Sequence, residues 1–134
     1  MNRLILALAL VPALVTTGAM AQTVSDDVTK ALWCGTALTI AFSNAPPDAT
    51  PEQLAEAKIY IDGGNVLIDQ SGQAHLDAGF TAEQLTTIKA DLVTEITPIV
   101  TGEGDPSTAK FTFEDCVALL PAPAAPADTS SSAQ

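Results

Sequence analysis

The chain has 134 residues, with 16 Asp and Glu against five Lys and Arg, so its formal net charge at pH 7 is −11. We exclude nucleic acid as a partner, because binding it requires lysine and arginine gathered on one surface, and here they are scattered singly along the sequence. With a single histidine, two distant cysteines and both methionines at the N-terminal end, the chain offers no ligand set for zinc or for His/Met-ligated haem, and we expect no cofactor.

Residues 1–21 have the features of a secretory signal peptide. Arg3 supplies a positive charge, an apolar run follows over residues 4–15, and small residues precede an expected cleavage between Ala21 and Gln22. A single membrane helix is the alternative, but the apolar run is shorter than the roughly 20 residues that span a bilayer. No later segment is apolar enough to span, and an acidic surface favours the monomer. We therefore expect a periplasmic or secreted monomer.

The first predicted helix covers residues 25–44 and carries the only tryptophan and the first cysteine. Ser25 is placed to cap it, and the two aspartates that follow lie where the helix dipole favours negative charge. Apolar and small side chains cover most of its circumference, which is typical of a helix at the centre of a fold. The prolines at 46–47 end it.

A second helix is predicted over residues 51–79. Thr50 is its N-cap, Pro51 occupies the first helical position, and Gln53 completes a capping box. Apolar residues continue at helical spacing as far as Gly79, a residue type that readily ends a helix.

Internal glycines make this second helix weak by propensity, so the sequence predicts a break or kink near residues 63–65 or 72. The same small residues would let a neighbouring helix approach closely. An alternative interpretation is a β-hairpin over residues 58–69, around the Gly-Gly pair. We favour the helix, because an isolated hairpin is marginal and no other segment supplies strands for a sheet.

A third helix is predicted over residues 81–98. Thr81 is its N-cap and Gln84 completes a capping box, while apolar residues form a continuous stripe along one face. Pro98 is expected to end or kink this helix, because proline lacks the N–H that continues the ladder of hydrogen bonds.

A short fourth helix is predicted over residues 113–120, with Thr112 as its N-cap. Phe113 and Cys116 fall on one face of this helix, together with Val117 and Leu120, so we expect that face to turn toward the core.

Cys34 and Cys116 are the only two cysteines, and we expect them to form a disulfide that joins the first helix to the last. The bond closes a loop that spans most of the domain, which in the chain-entropy model contributes about 4 kcal/mol. Two buried free thiols are the alternative, but export and the even cysteine count favour the disulfide.

These elements predict an all-α protein, a small four-helix domain over residues 22–120 tied by one disulfide. The Pro/Ala/Ser-rich tail over residues 121–134 cannot bury a core, and we expect it to be disordered.

No motif identifies a catalytic centre, and no nucleophile elbow surrounds any serine. His75 is expected to be a half-exposed helix residue rather than a metal ligand. Residues 62–65 and 103–105 offer oxygen atoms of the kind that bind calcium, but neither stretch has the EF-hand spacing. We expect a helix irregularity and a solvated loop there, and we keep cation binding by these acidic segments as an alternative function.

The leading functional hypothesis is therefore a non-enzymatic exported module that binds a protein, a peptide or a small apolar ligand, or that serves as a structural component of the envelope. A signal peptide, Trp33-Cys34 near the mature N-terminus, a second cysteine at Cys116 and an all-α pattern also resemble the small periplasmic acid-stress chaperones of the HdeA type. That resemblance implies a chaperone activity switched on by acid.

Overall fold

A computed structural model of the chain describes residues 22–121, and within that range it contains helices and no strands. The elements are, in chain order, α1 Asp26–Ser43, α2 Pro51–Asp77, α3 Ala82–Val100, a 3-10 turn Pro106–Thr108 and α4 Phe113–Val117. The predicted all-α class and the four helices are confirmed. The signal peptide with Ala21, and the tail over residues 122–134, lie outside the described residues.

α1 is the central helix of the fold. Every position from residue 32 to residue 38 is buried, because α2, α3 and α4 all pack against this helix. Its N-cap is Ser25, as predicted, whose hydroxyl oxygen accepts a hydrogen bond from the Val28 N–H at 3.3 Å. The other helices begin at predicted caps as well: Thr50, Thr81 and Thr112 each form a complete capping box.

α2 runs without interruption for 27 residues, so neither the hairpin over residues 58–69 nor a break near residues 63–65 or 72 is present. Tertiary packing explains why the weak propensity does not break the helix. Gly63 and Gly64 are buried, and a β-carbon placed on Gly35 of α1 would lie only 2.6 Å from the Gly64 carbonyl oxygen. Because these glycines have no side chains, α1 and α2 can pack closely together, as their small size predicted.

Three predicted helix ends differ from the structure by two residues or more. α2 ends at Asp77 rather than at residue 79. α3 continues past Pro98 to Val100, since a proline in the last turn removes few helical hydrogen bonds. α4 ends at Val117 rather than at residue 120, and the N–H groups of Leu119 and Leu120 instead bond to carbonyl groups only three residues earlier. These tighter bonds turn the chain toward α2, where the Leu120 side chain lies against Gly63.

The core lies where α1 meets the other three helices, and the predicted disulfide between Cys34 and Cys116 runs through it. The bond joins α1 to α4 across 82 positions of sequence, with the two Cα atoms 4.9 Å apart. The buried residues of the main core cluster are Trp33, Cys34, Ala37, Leu38, Leu67, Ile96 and Cys116.

None of the helices within residues 22–121 combines the length and the apolar character needed to cross a membrane.

Candidate ligand-binding groove

Residues 106–116, here called the cover segment, fold back over α1 and α3. Phe111 packs edge-on against Trp33 with ring centroids 5.5 Å apart, and Cys116 is held by the disulfide. The indole N–H of Trp33 donates to a carboxylate oxygen of Glu95 at 3.1 Å, which links α1 to α3 directly beneath the cover segment. Aromatic packing, a covalent bond and hydrogen bonds therefore position this segment.

Asp115 anchors the cover segment to α1. Its carboxylate accepts hydrogen bonds from the hydroxyl and the N–H of Thr112, at 2.8 Å and 3.1 Å, and from the ammonium of Lys30 at 3.0 Å. The Thr112 hydroxyl, followed by Lys30, lowers the pKa of Asp115 to about 2. The Lys30 ammonium also lies 5.3 Å from the centre of the Phe111 ring, so it is bound by a carboxylate and an aromatic side chain together.

A second ion pair joins the cover segment to α3, since the Lys110 ammonium lies 3.0 Å from the Glu95 carboxylate. Partial burial by itself raises the pKa of Glu95, but the hydrogen bonds from Lys110 and Trp33 and the Lys110 charge outweigh it. The pKa of Glu95 therefore lies below its ordinary value, and the carboxylate is ionised at neutral pH.

Between the cover segment, α1 and α3 lies a cleft of about 510 Å³, which we call the inner cleft. Its walls are largely apolar and include Ala37, Leu38, Ala41, Val100, Phe111 and Phe113. This volume falls in the range of small-molecule sites, which are roughly 300–1,000 Å³ and mostly apolar.

A neighbouring cleft of about 410 Å³, the outer cleft, lies between the end of α1, the linker after it and the start of α2. Three of its lining residues form an aromatic cluster: Phe42 stacks on Tyr60 at 4.4 Å between centroids, and Phe113 lies 5.7 Å from Tyr60. Glu56 lines the same cleft.

Ala41 and Phe113 line both clefts, so the two clefts adjoin and together form what we call the Phe113 groove. Phe113 is 54% exposed, although the sequence pattern predicts that it faces the core together with Cys116. That prediction is wrong because α4 is one short turn, in which Cys116 alone is buried. What distinguishes Phe113 is its position, since its exposed ring lies between two adjoining clefts of the size that binds small molecules.

His75 lies near the C-terminal end of α2, whereas the outer cleft lies at its N-terminal end. It is only 4% exposed, so the prediction of a half-exposed residue is wrong. Its Nδ1 lies 2.7 Å from the Ser71 carbonyl oxygen, and the Phe80 ring packs against it at 5.1 Å. The turn between α2 and α3 buries the imidazole, which local periodicity does not reveal.

The two acidic stretches considered for calcium have local partners. Asp62 pairs with Lys58 on the surface of α2, and Asp105 caps the 3-10 turn by accepting from the Ser107 N–H at 2.8 Å. Among residues 22–121 no three His, Cys, Asp or Glu side chains come together as a metal site.

Five of the chain's six Phe, Tyr and Trp side chains line the two clefts. This convergence is not visible in the sequence, because the residues come from α1, from α2 and from the cover segment and share no motif. Comparison with known proteins finds no matching family model, no matching curated protein and no matching solved structure.

Proposed function

We propose that the protein is a non-enzymatic exported binding module, and that the Phe113 groove holds an apolar ligand or the apolar side chains of a peptide or protein. The exposure of Phe113 between the largely apolar inner cleft and the aromatic outer cleft is the observation that supports this proposal. Fully burying an exposed phenylalanine gains roughly 1.5–3 kcal/mol, and covering the exposed half of Phe113 therefore gains about half of that, which supplies a driving force for binding.

The polar groups at the groove support binding rather than catalysis. Asp115 is held ionised by Thr112 and Lys30, and its lowered pKa makes it a weak base at neutral pH. Lys110 is paired with Glu95. These groups fix the cover segment in place, and their hydrogen bonds give them a structural role.

The test uses the neutral dye N-phenyl-1-naphthylamine, whose fluorescence rises in apolar surroundings. We expect saturable binding to the oxidised protein, weakened at least about tenfold by Phe113→Ser, which removes most of an aromatic contact. Val93→Ser is the matched control, because Val93 is 46% exposed on α3 and lines neither cleft. Equal loss in the two variants, or no saturable binding, would disprove the proposal.

An acid-stress chaperone is the second candidate, and the anchoring of the cover segment favours it. Both ion pairs that hold this segment use carboxylates, so strong acid would break them and free the apolar surface around Trp33 and Phe111. A chaperone should bind more dye reversibly near pH 2 and suppress client aggregation there. Dye binding that is strongest at neutral pH, without such suppression, would instead support the neutral binding module.

A further inference from the structure

We propose that the partner of the Phe113 groove is a cationic amphipathic peptide segment, in which lysine or arginine side chains stand beside apolar ones. This inference rests on the proposed binding function, since it concerns the same groove. It requires negative charge at the groove that is not already neutralised, a cation-binding surface within the groove, and a shape suited to a peptide.

One acidic side chain lines the outer cleft and two more neighbour its lining residues in sequence. Glu56 lines the cleft, Glu52 precedes the lining residue Gln53, and Asp48 precedes the lining residue Ala49. All three acids are exposed, and none forms an ion pair in the part of the chain that the structure describes. The lysines that do form ion pairs there, Lys30, Lys58 and Lys110, are bound to other carboxylates.

The backbone at the outer cleft also favours a cation. The C-terminal end of α1 lies there, with Asn44 among the lining residues, and its last turn contains no basic side chain. The negative end of the α1 dipole is therefore not neutralised by the helix itself. The positive end of α2 lies opposite and is offset by Glu52 in its first turn, which leaves Glu56 and Asp48 as the acids without a compensating charge.

The protein already contains one cation site of the proposed kind. Lys30 lies over the Phe111 ring while its ammonium bonds to Asp115, so an aromatic face and a carboxylate hold one lysine. The outer cleft contains the same two components, the aromatic cluster around Tyr60 and the Glu56 carboxylate, with no lysine or arginine among its lining residues. A basic side chain of a partner would complete the arrangement.

The shape of the groove favours a peptide over a small amine. Phe113 separates two clefts, one acidic and aromatic at its rim and one largely apolar. A peptide passing over Phe113 can place a basic side chain in the outer cleft and an apolar one in the inner cleft. A small amine without an apolar chain would use only the outer cleft.

The experiment compares fluorescently labelled peptides of alternating lysine and leucine with peptides in which glutamate replaces lysine, or serine replaces leucine. At low salt we expect the Lys/Leu peptide to bind at least about tenfold more tightly than either. Glu56→Gln should weaken its binding about threefold, as expected for one partly exposed ion pair. Asp91→Asn removes the same charge from α3, away from both clefts, and should change binding far less.

Four outcomes decide the matter. Tight Lys/Leu binding that is lost in Phe113→Ser and weakened in Glu56→Gln supports the inference. If the neutral dye binds the groove but lysine and glutamate peptides bind equally, the inference fails while the proposed function stands. Equal weakening by Glu56→Gln and Asp91→Asn also overturns it, since attraction would then reflect net charge alone. If neither dye nor peptide binds, the proposed function fails as well.

Discussion

Gly35 of α1 packs directly against α2 and leaves no space for a side chain. A β-carbon on Gly35 would lie 2.6 Å from the Gly64 carbonyl oxygen and 3.0 Å from Leu67, so the two backbones must separate to admit it. We expect Gly35→Ala to destabilise the protein by about 1–3 kcal/mol, the cost of overpacking. This net loss remains after the roughly 1 kcal/mol of helix propensity that alanine gains over glycine. Urea denaturation followed by circular dichroism measures the difference.

Gly72→Ala is the matched control for that substitution, because Gly72 is also buried within a helix. Its added β-carbon would meet the Leu85 Cδ2 atom at 3.4 Å and the Lys89 Nζ atom at 3.5 Å, which are ends of side chains in ordinary contact. We expect this variant to be neutral or more stable by up to about 1 kcal/mol. Equal destabilisation of both variants would show that the α1–α2 approach is not specially tight.

Asp115 makes the stability of the folded protein depend on pH, with a loss of stability in acid. Because its pKa in the folded protein is about 2, against an ordinary 3.8, its contribution is fully present above about pH 4 and disappears as the pH falls toward 2. We therefore expect Asp115→Asn to be less stable than the parent from pH 7 to 5, with the difference shrinking between about pH 4 and 2. Thermal melts across this range measure it.

Glu114→Gln serves as the control for Asp115→Asn, since it removes an exposed acid from the same turn that forms no ion pair among the described residues. It removes an anion from this turn while leaving the contacts of Asp115 with Thr112 and Lys30 in place. A stability difference for Asp115→Asn that stays constant down to pH 2 would contradict the assignment of the anchoring contacts.

At the scale of elements, α4 is the least self-sufficient helix, because it has only five residues. The disulfide from Cys116 to Cys34 fixes it to α1. We expect the Cys34→Ala/Cys116→Ala double variant to lose about 2–5 kcal/mol of stability. Its amides over residues 109–120 should exchange much faster than those of α1 to α3, as hydrogen exchange will show. Uniformly faster exchange would instead mean that α4 and the bundle unfold as one unit.

Helix starts were predictable from the sequence, whereas helix ends were less so. Thr50, Thr81 and Thr112 each bond to a backbone N–H three residues on, so the signal is local and is visible in the sequence. The ends at Val100 and Val117 depend on how the chain packs after the last helical turn. The local sequence pattern does not specify that packing. The disulfide was predictable from cysteine count and from the position of Cys116.

The groove was not predictable from the sequence. Phe42, Tyr60 and Phe113 meet only after three elements have packed, and the helical face assigned to Phe113 assumes a longer helix than α4. His75 shows the same limitation, since the α2–α3 turn and Phe80 bury it. The exposure of Phe113 and that of His75 were both predicted wrongly, because neighbouring elements determine them.

For the whole molecule, the dominant electrostatic feature is excess negative charge. The chain carries a formal charge of −11, and the ion pairs in its described part engage only three carboxylates: Asp115, Asp62 and Glu95. Self-repulsion of this kind destabilises a compact state and is screened by salt. The same charge provides the long-range attraction for a basic partner of the Phe113 groove.

We expect the melting temperature at pH 7 to rise when sodium chloride is increased from about 10 mM to about 500 mM, because screening weakens repulsion among the unpaired carboxylates. Asp91→Asn removes one negative charge at an exposed site, and Asp91→Lys also adds a positive one, so the net charge changes by one and by two units. The melting temperature should rise stepwise at low salt. At about 500 mM sodium chloride, neither substitution should raise the melting temperature, because the repulsion that it relieves is already screened. A melting temperature that falls on adding salt would contradict this balance, and would mean that screening of Lys30–Asp115 and Lys110–Glu95 outweighs the relief of repulsion.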